Sequence, residues 1–227
     1  MGKFDTMKYK IGIDEVGRGP LAGPVAVCAF LMKDDSFLEN QKEKKLPKLK
    51  DSKKLSKKQR EVWFEFLKKQ KEEGKCDYAV SFVSPENIDK FGIAKCIQKA
   101  LNESLKKIEE QNCLNFCPCR PQYSGLSGEN LDNSVEQSFC KIFLDGGLHA
   151  PVEYVNQETI IRGDELHPVI SLASIVAKVS RDAIMTKYSK NYPEYGFEKH
   201  SGYGTKAHYE AIKKYGQTPI HRKSFIH

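Results

Sequence analysis

Three short apolar runs in this 227-residue chain each close on a carboxylate, and no other feature restricts the fold as much. Residues 9–14 end in Asp14, residues 141–145 in Asp145 and residues 159–164 in Asp164. Short apolar runs bounded by turn residues are the pattern of buried strands. A single acid at such an end is normally a turn residue. Three of them predict neighbouring strands of an α/β sheet that deliver their acids to one edge. The first run carries two acids, in Ile11-Gly12-Ile13-Asp14-Glu15-Val16-Gly17-Arg18-Gly19-Pro20. Adjacent like charges are costly unless compensated, and a divalent cation compensates carboxylates directly. Because side chains alternate across a strand, Asp14 and Glu15 can share a site only where the strand twists or ends, and Gly17 supplies an ending.

The remaining pattern alternates strands with helices, which places the chain in the α/β class. Residues 25–32 form a second apolar run after the Gly-Pro-rich turn at 17–24, predicting a strand beside the first. Ser56 predicts a helix cap, with Val62, Trp63, Phe66 and Leu67 on the buried face and Gly74 at the end. Residues 76–83 return to strand character. Ser84-Pro85 opens a helical region in which Ile93, Ile97, Ala100, Leu101, Ser104, Leu105 and Ile108 share one face. Residues 111–138 show neither period and are expected to be a loop insertion. A long amphipathic helix is expected over 170–187, then a helical tail with a Gly202-Tyr203-Gly204 turn, a helix capped by Thr205, and a basic end at His221-Arg222-Lys223.

Composition narrows the function classes. With 39% hydrophobic and 30% charged residues, the chain suits one main core with a small appendage. No apolar run approaches the roughly 18 residues of a membrane span. The first residues lack the apolar stretch of a secretion signal, so the expected location is the cytoplasm. Cys28, Cys76, Cys96 and Cys140 sit among apolar neighbours, as reduced thiols do, while Cys113, Cys117 and Cys119 lack the paired spacing of a zinc site. The net charge of +7 is concentrated: residues 42–58 hold nine lysines against Glu43 and Asp51, which is +7 within that stretch. Such a stretch attracts a polyanion in a salt-dependent way, although a solvated lysine loop has the same composition.

Asp14, Glu15, Asp145 and Asp164 are therefore the candidate chemistry. Several carboxylates are needed where two divalent ions about 3.5 to 4 Å apart must be bridged while leaving positions for water and phosphate. An all-oxygen set suits Mg²⁺ or Mn²⁺. Asp51, Asp132, Glu153 and Asp182 have no buried strand behind them and are expected to be surface, cap or loop acids. His149, His167 and His200 lie near the motifs but are expected to be local hydrogen-bond partners. Glycines on both sides of Arg18 let the backbone approach a ligand closely, and amides plus a guanidinium suit sugar hydroxyls and phosphates.

Taken in order, residues 11–24, Lys50-Asp51-Ser52-Lys53-Lys54-Leu55-Ser56, Asp145-Gly146, Gly163-Asp164, residues 171–182 and Gly202-Tyr203-Gly204-Thr205 resemble type 2 ribonuclease H, the bacterial ribonuclease HII branch. The resemblance implies an RNase H-like mixed sheet flanked by helices, with a catalytic domain at 7–190 and a small C-terminal helical substrate-binding segment at 191–227. It implies an endonuclease that hydrolyses the RNA strand of RNA/DNA hybrids and nicks DNA 5′ to embedded ribonucleotides, as in ribonucleotide excision repair. Two Mn²⁺ or Mg²⁺ ions would be held by Asp14, Glu15, Asp145 and Asp164, and the products would carry 3′-hydroxyl and 5′-phosphate ends. Gly17, Arg18 and Gly19 match the loop that reads the ribose 2′-hydroxyl. Tyr203 matches an aromatic that packs on the neighbouring sugar, and Ser52, Lys53 and Lys54 match a segment that contacts the nucleic-acid backbone. The implied partners are RNA/DNA hybrid and ribonucleotide-containing DNA duplex, met by a monomer. The insertion and the extra lysines before Asp51 exceed the family pattern. A type 3 relative would carry lysine at Arg18, and a non-catalytic basic nucleic-acid binder would need the lysine stretch but not Asp145 and Asp164.

Overall fold

The computed structural model describes residues 9–33, 35–39, 44–50, 52–112 and 140–226. Among these residues the apolar runs become five strands: β1 Tyr9–Val16, β2 Val25–Met32, β3 Cys76–Val83, β4 Cys140–Asp145 and β5 Gln157–Ile160. They form one mixed sheet in the order β3-β2-β1-β4-β5. β1 pairs antiparallel with β2, and β2 with β3, while β1–β4 and β4–β5 are parallel. Connection length explains the mixture. The turn at 17–24 returns the chain directly, as an antiparallel pair allows, whereas β4 is reached only after a long crossover.

Among the described residues, seven helices accompany the sheet: α1 Lys57–Glu72, α2 Pro85–Phe91, α3 Ile93–Asn112, α4 Gly163–Leu166, α5 Pro168–Asn191, α6 Phe197–His200 and α7 Lys206–Tyr215. On one sheet face, Ile11, Ile13, Val27 and Leu31 pack against Ile97, Leu101, Leu105 and Ile108 of α3. On the other, Cys28 and Phe30 pack against Trp63 and Leu67 of α1 and Ile170, Ala173 and Ala177 of α5. β2 is consequently buried at every position. The four cysteines expected to be reduced are buried and free. No helix among the described residues is long and apolar enough to cross a membrane.

Several local expectations need correction. Ser56 does cap α1, with the Gln59 amide donating to its hydroxyl and the Gln59 side chain accepting from its amide. Val62, however, is exposed, and α1 buries a narrower stripe of Trp63, Leu67 and Gln70. The helix expected over 170–187 runs from Pro168 to Asn191, and residues 169–177 are buried on all sides rather than amphipathic. They lie against the middle of the sheet, where Gly12 permits an unusually close crossing: a Cβ there would meet the Val169 carbonyl oxygen at 2.2 Å. The run expected to form a strand through Asp164 stops at Ile160. Ile161 is exposed, Arg162 turns left-handed at φ 56°, and α4 starts at Gly163. α3 continues to Asn112, so the expected insertion begins inside a helix. The rest of that insertion, with Cys113, Cys117, Cys119 and Asp132, lies outside the described residues, as does Asp51.

A third apolar cluster joins the C-terminal segment to the sheet domain. Tyr195, Phe197, Ala211 and Ile220 close on Met185 of α5 and Ala22 of the 17–24 turn. The tail therefore rests directly on the loop that follows the paired acids.

Candidate active site

Parallel pairing brings the acids together. Ile13 of β1 lies opposite Leu144 of β4, so the next residues, Asp14 and Asp145, end side by side. Asp164 arrives from the first turn of α4, where its amide donates to Asp145 Oδ1 at 3.4 Å. Strand alternation holds at the paired acids, since Asp14 lies opposite Cys28 and Glu15 opposite Val27, on different faces. Near the strand end both carboxyls nevertheless feel Asp145. The Glu15 amide donates to Asp14 Oδ1 at 2.8 Å.

Asp14 is buried, and its carboxyl is held well above the usual carboxylate range, first by burial and then by the charge of Glu15, with Asp145 and Asp164 adding to it. A hydrogen bond from Ser174 of α5 opposes that shift. Glu15 is also pushed up, mainly by burial and further by Asp145, while Arg18 and Lys53 oppose the rise. Arg18 Nη1 lies 3.6 Å from Glu15 Oε1, and Lys53 Nζ lies 3.4 Å from Asp164 Oδ2. The site thus concentrates more negative charge than its own cations neutralise.

An all-oxygen set with a buried, destabilised carboxylate at its centre fits a hard divalent cation. As the side chains stand, no group of three or more His, Cys, Asp or Glu among the described residues is gathered closely enough to hold an ion. Glu15 leans toward Arg18 and Asp164 toward Lys53. These basic side chains occupy the electrostatic role that a metal would take, and both are exposed enough to leave.

The segment expected to touch nucleic acid divides in two. Lys53 and Lys54 are exposed, with Lys54 2.6 Å from Glu165. Ser52 instead turns inward: it is buried, and its Oγ lies 2.7 Å from Ser174 Oγ. Its side chain braces the serine that bonds Asp14 and does not face solvent. Arg60 fixes the same turn by donating to the carbonyls of Ser52 and Leu55.

In the Gly17-Arg18-Gly19 loop, Gly17 has φ 88° and a Cβ there would meet Arg181 Nε at 2.3 Å, so only glycine fits. Arg18 and Gly19 are exposed. Tyr203 keeps 42% of its surface accessible. Its turn is tied to the loop because the Leu21 and Ala22 amides donate to the Gly202 carbonyl. The basic end is largely buried. Arg222 and His221 are buried, and only Lys223 of that trio is exposed. Asp182 is likewise no free surface acid, because it accepts from Lys178 and from Ser201.

Ser174, Arg181 and Arg222 were missed as individual functional candidates. For two of them a signal exists: Ser174, Arg181 and Met185 are spaced seven and four apart on α5, which puts all three on one stripe, and all are buried.

A family model described as ribonuclease HII matches residues 11–113 and 141–227. A ribonuclease HII of Clostridioides difficile is 40% identical over 218 residues, covering 96% of this chain and 70% of the relative. That of Endomicrobium trichonymphae is 41% identical over 214 residues, covering 94% of this chain and 83% of the relative. Among solved structures, the PCNA–RNase HII complex from Archaeoglobus fulgidus aligns with a TM-score of 0.64 at 25% identity, covering 94% of this chain and 93% of that one. With the family model, the relatives' identities and the fold alignment in agreement, the chain belongs to the ribonuclease HII family and is a type 2 ribonuclease H.

Proposed function

We propose that this chain hydrolyses the RNA strand of RNA/DNA hybrids and nicks DNA on the 5′ side of an embedded ribonucleotide, leaving 3′-hydroxyl and 5′-phosphate ends. The observation that carries the proposal is the convergence of Asp14, Glu15, Asp145 and Asp164 beside an open Gly17-Arg18-Gly19 loop. The four acids would hold two Mg²⁺ or Mn²⁺ ions, which when bound supply an activated water and positive charge at the leaving oxygen. Ser174 of α5, itself braced by Ser52, holds Asp14 in place. On this reading the amides of the exposed loop meet the ribose 2′-hydroxyl and Tyr203 meets the neighbouring sugar, and that hydroxyl is the group by which RNA differs from DNA at one position. Lys53 and Lys54 face solvent as backbone-contacting cations should. Residues 7–190 would carry the chemistry and 191–227 would help grip the duplex, the protein acting as a cytoplasmic monomer in ribonucleotide removal.

The test is a DNA duplex containing one ribonucleotide, incubated with Mg²⁺ or Mn²⁺ and with the native chain, Asp14→Asn or Asp164→Asn. Metal-dependent nicking by the native chain and its loss in both variants is expected. Binding without nicking, with or without metal, would instead favour a non-catalytic nucleic-acid binder.

A further inference from the structure

Two arginines lie fully buried beneath the Gly17-Arg18-Gly19 loop, each at 0% exposure, and neither forms an ion pair among the described residues. Every hydrogen bond they make goes to a backbone carbonyl. Arg222 donates from Nη2 to Gly17 (2.7 Å), from Nη1 to Arg18 (3.1 Å) and from Nε to Gly23 (2.9 Å). Arg181 donates from Nε to Pro24 (2.8 Å), from Nη2 to Ala22 (3.1 Å) and from Nη1 to Ser201 (2.9 Å). Five of the six carbonyls belong to residues 17–24.

Burying a cation without a counter-ion is expensive, and apolar packing would hold a loop down at lower cost. A guanidinium adds direction, because its planar fork fixes where each carbonyl points. That direction propagates outward. A trans peptide unit is planar with its N–H opposed to its C=O, so a carbonyl drawn inward sends the following amide outward. Holding the Gly17 carbonyl aims the Arg18 amide away from the core, and holding the Arg18 carbonyl aims the Gly19 amide the same way. Nothing lies within 4 Å of a Cβ built on Gly19, so that edge is open.

We propose that Arg222 is a positioning residue for ribonucleotide recognition, acting through the Gly17 and Arg18 carbonyls to aim the Arg18 and Gly19 amides at the substrate sugar, with Arg181 supporting it by anchoring the far arm of the same loop through Ala22 and Pro24. The inference rests on the reading of this loop as the 2′-hydroxyl sensor. Arg222 is itself clasped from both sides. Its amide donates to Leu21, and Asp89 of α2 accepts from the amides of Lys223 (2.9 Å) and Ser224 (3.0 Å) and from the Ser224 hydroxyl (2.6 Å). The end of the chain is thereby linked, through Asp89, to the geometry of a loop two hundred residues earlier.

The test compares native protein with Arg222→Lys, Arg181→Lys and Asp89→Asn. It measures kcat and KM on a duplex with a single ribonucleotide, Kd for the same duplex made entirely of DNA, and thermal unfolding. Lysine keeps the charge but loses the fork, so both lysine variants should lose about tenfold to a hundredfold in kcat/KM on the ribonucleotide. Their all-DNA Kd should stay within about twofold of native. Asp89→Asn, remote from the loop, should lose about threefold in the same direction. If the lysine variants fold and keep native discrimination, the inference is overturned. If they fail to fold, native discrimination in Asp89→Asn overturns it. A native protein with no preference for the ribonucleotide would sink the sensor reading itself, and this inference with it.

Discussion

Replacing Gly12 with alanine tests how the α5 crossing registers the acids. All three atoms nearest the new methyl are backbone: the Val169 oxygen at 2.2 Å, the Val169 carbon at 2.4 Å and the Ile170 nitrogen at 2.7 Å. No side chain can rotate away to make room. Comfortable carbon contacts begin near about 3.5 Å, so α5 must lift from β1 by roughly 1 Å. Overpacking of this kind costs about 1 to 3 kcal/mol. The site should suffer more than the fold. Gly12 is two residues before Asp14 on the same strand face, and Ser174, which bonds Asp14, is one helical turn beyond Ile170. Displacing a catalytic constellation by 1 Å costs on the order of a hundredfold in rate. The expected result is a lower urea midpoint at unchanged m-value, with kcat down by on the order of a hundredfold in Mg²⁺. A variant with native midpoint and native kcat would refute the claim that this crossing sets the position of Asp14.

Ser52→Ala removes an inward bond to Ser174, so it should lower kcat by about fivefold, the worth of one hydrogen bond, while duplex affinity holds. Equal losses in kcat and affinity would put Ser52 on the substrate. Lys53→Ala and Lys54→Ala should each reduce the salt dependence of duplex binding by about 0.9 in log–log slope, measured by titration at several salt concentrations. An unchanged slope would reduce them to surface ion pairs. His208 and His221 form a buried pair with Nε2 atoms 3.1 Å apart, faced by the stacked ring of His200 and by Tyr195, Phe197 and Thr218. Burial depresses both, His221 to about 4 with His208 adding to the effect. Between the unfolded value near 6.5 and the folded value, the unfolded chain binds more protons, so stability is complete above about pH 6.5 and lost below it. Each such histidine costs up to about 1.4 kcal/mol per pH unit across that window. Urea unfolding at pH 7.5 and pH 5 reads this directly, and His221→Asn should flatten the difference.

Much of the fold was legible because its signals are local. β1, β2, β3 and β4 declare themselves as apolar runs, and α1 by a capping serine three residues before glutamine. The paired acids and Asp145 were legible for the same reason, each closing a buried run. Asp164 enters the candidate set for a partly mistaken reason. Ile160 and Ile161 suggest a continuing strand, yet β5 is a half-exposed edge strand whose chain turns left-handed at Arg162 before α4 presents the acid. Val62 illustrates the limit of periodicity, because a helix pattern names a face but not its width. Ser52 shows that an exposed-looking lysine segment can hide one inward residue, and nothing local distinguishes Ser52 from its neighbours.

The buried arginines mark a deeper limit. Charge in a sequence ordinarily means solvent, and the counter-argument for a buried cation is a nearby acid that could pair with it. Arg222 follows no periodic stripe and sits beside His221 and Lys223, so its local context argues for a solvated tail. Its actual partners are carbonyls of Gly17, Arg18 and Gly23, some two hundred positions away. A carbonyl leaves no mark in a sequence because every residue carries one. Candidate metal-binding acids are recognisable by residue type, whereas the arginines proposed to aim a loop are recognisable only once the fold has placed that loop above them. In this chain the proposed chemistry thus rests on side chains that sequence exposes, and its proposed aim on backbone contacts that sequence conceals.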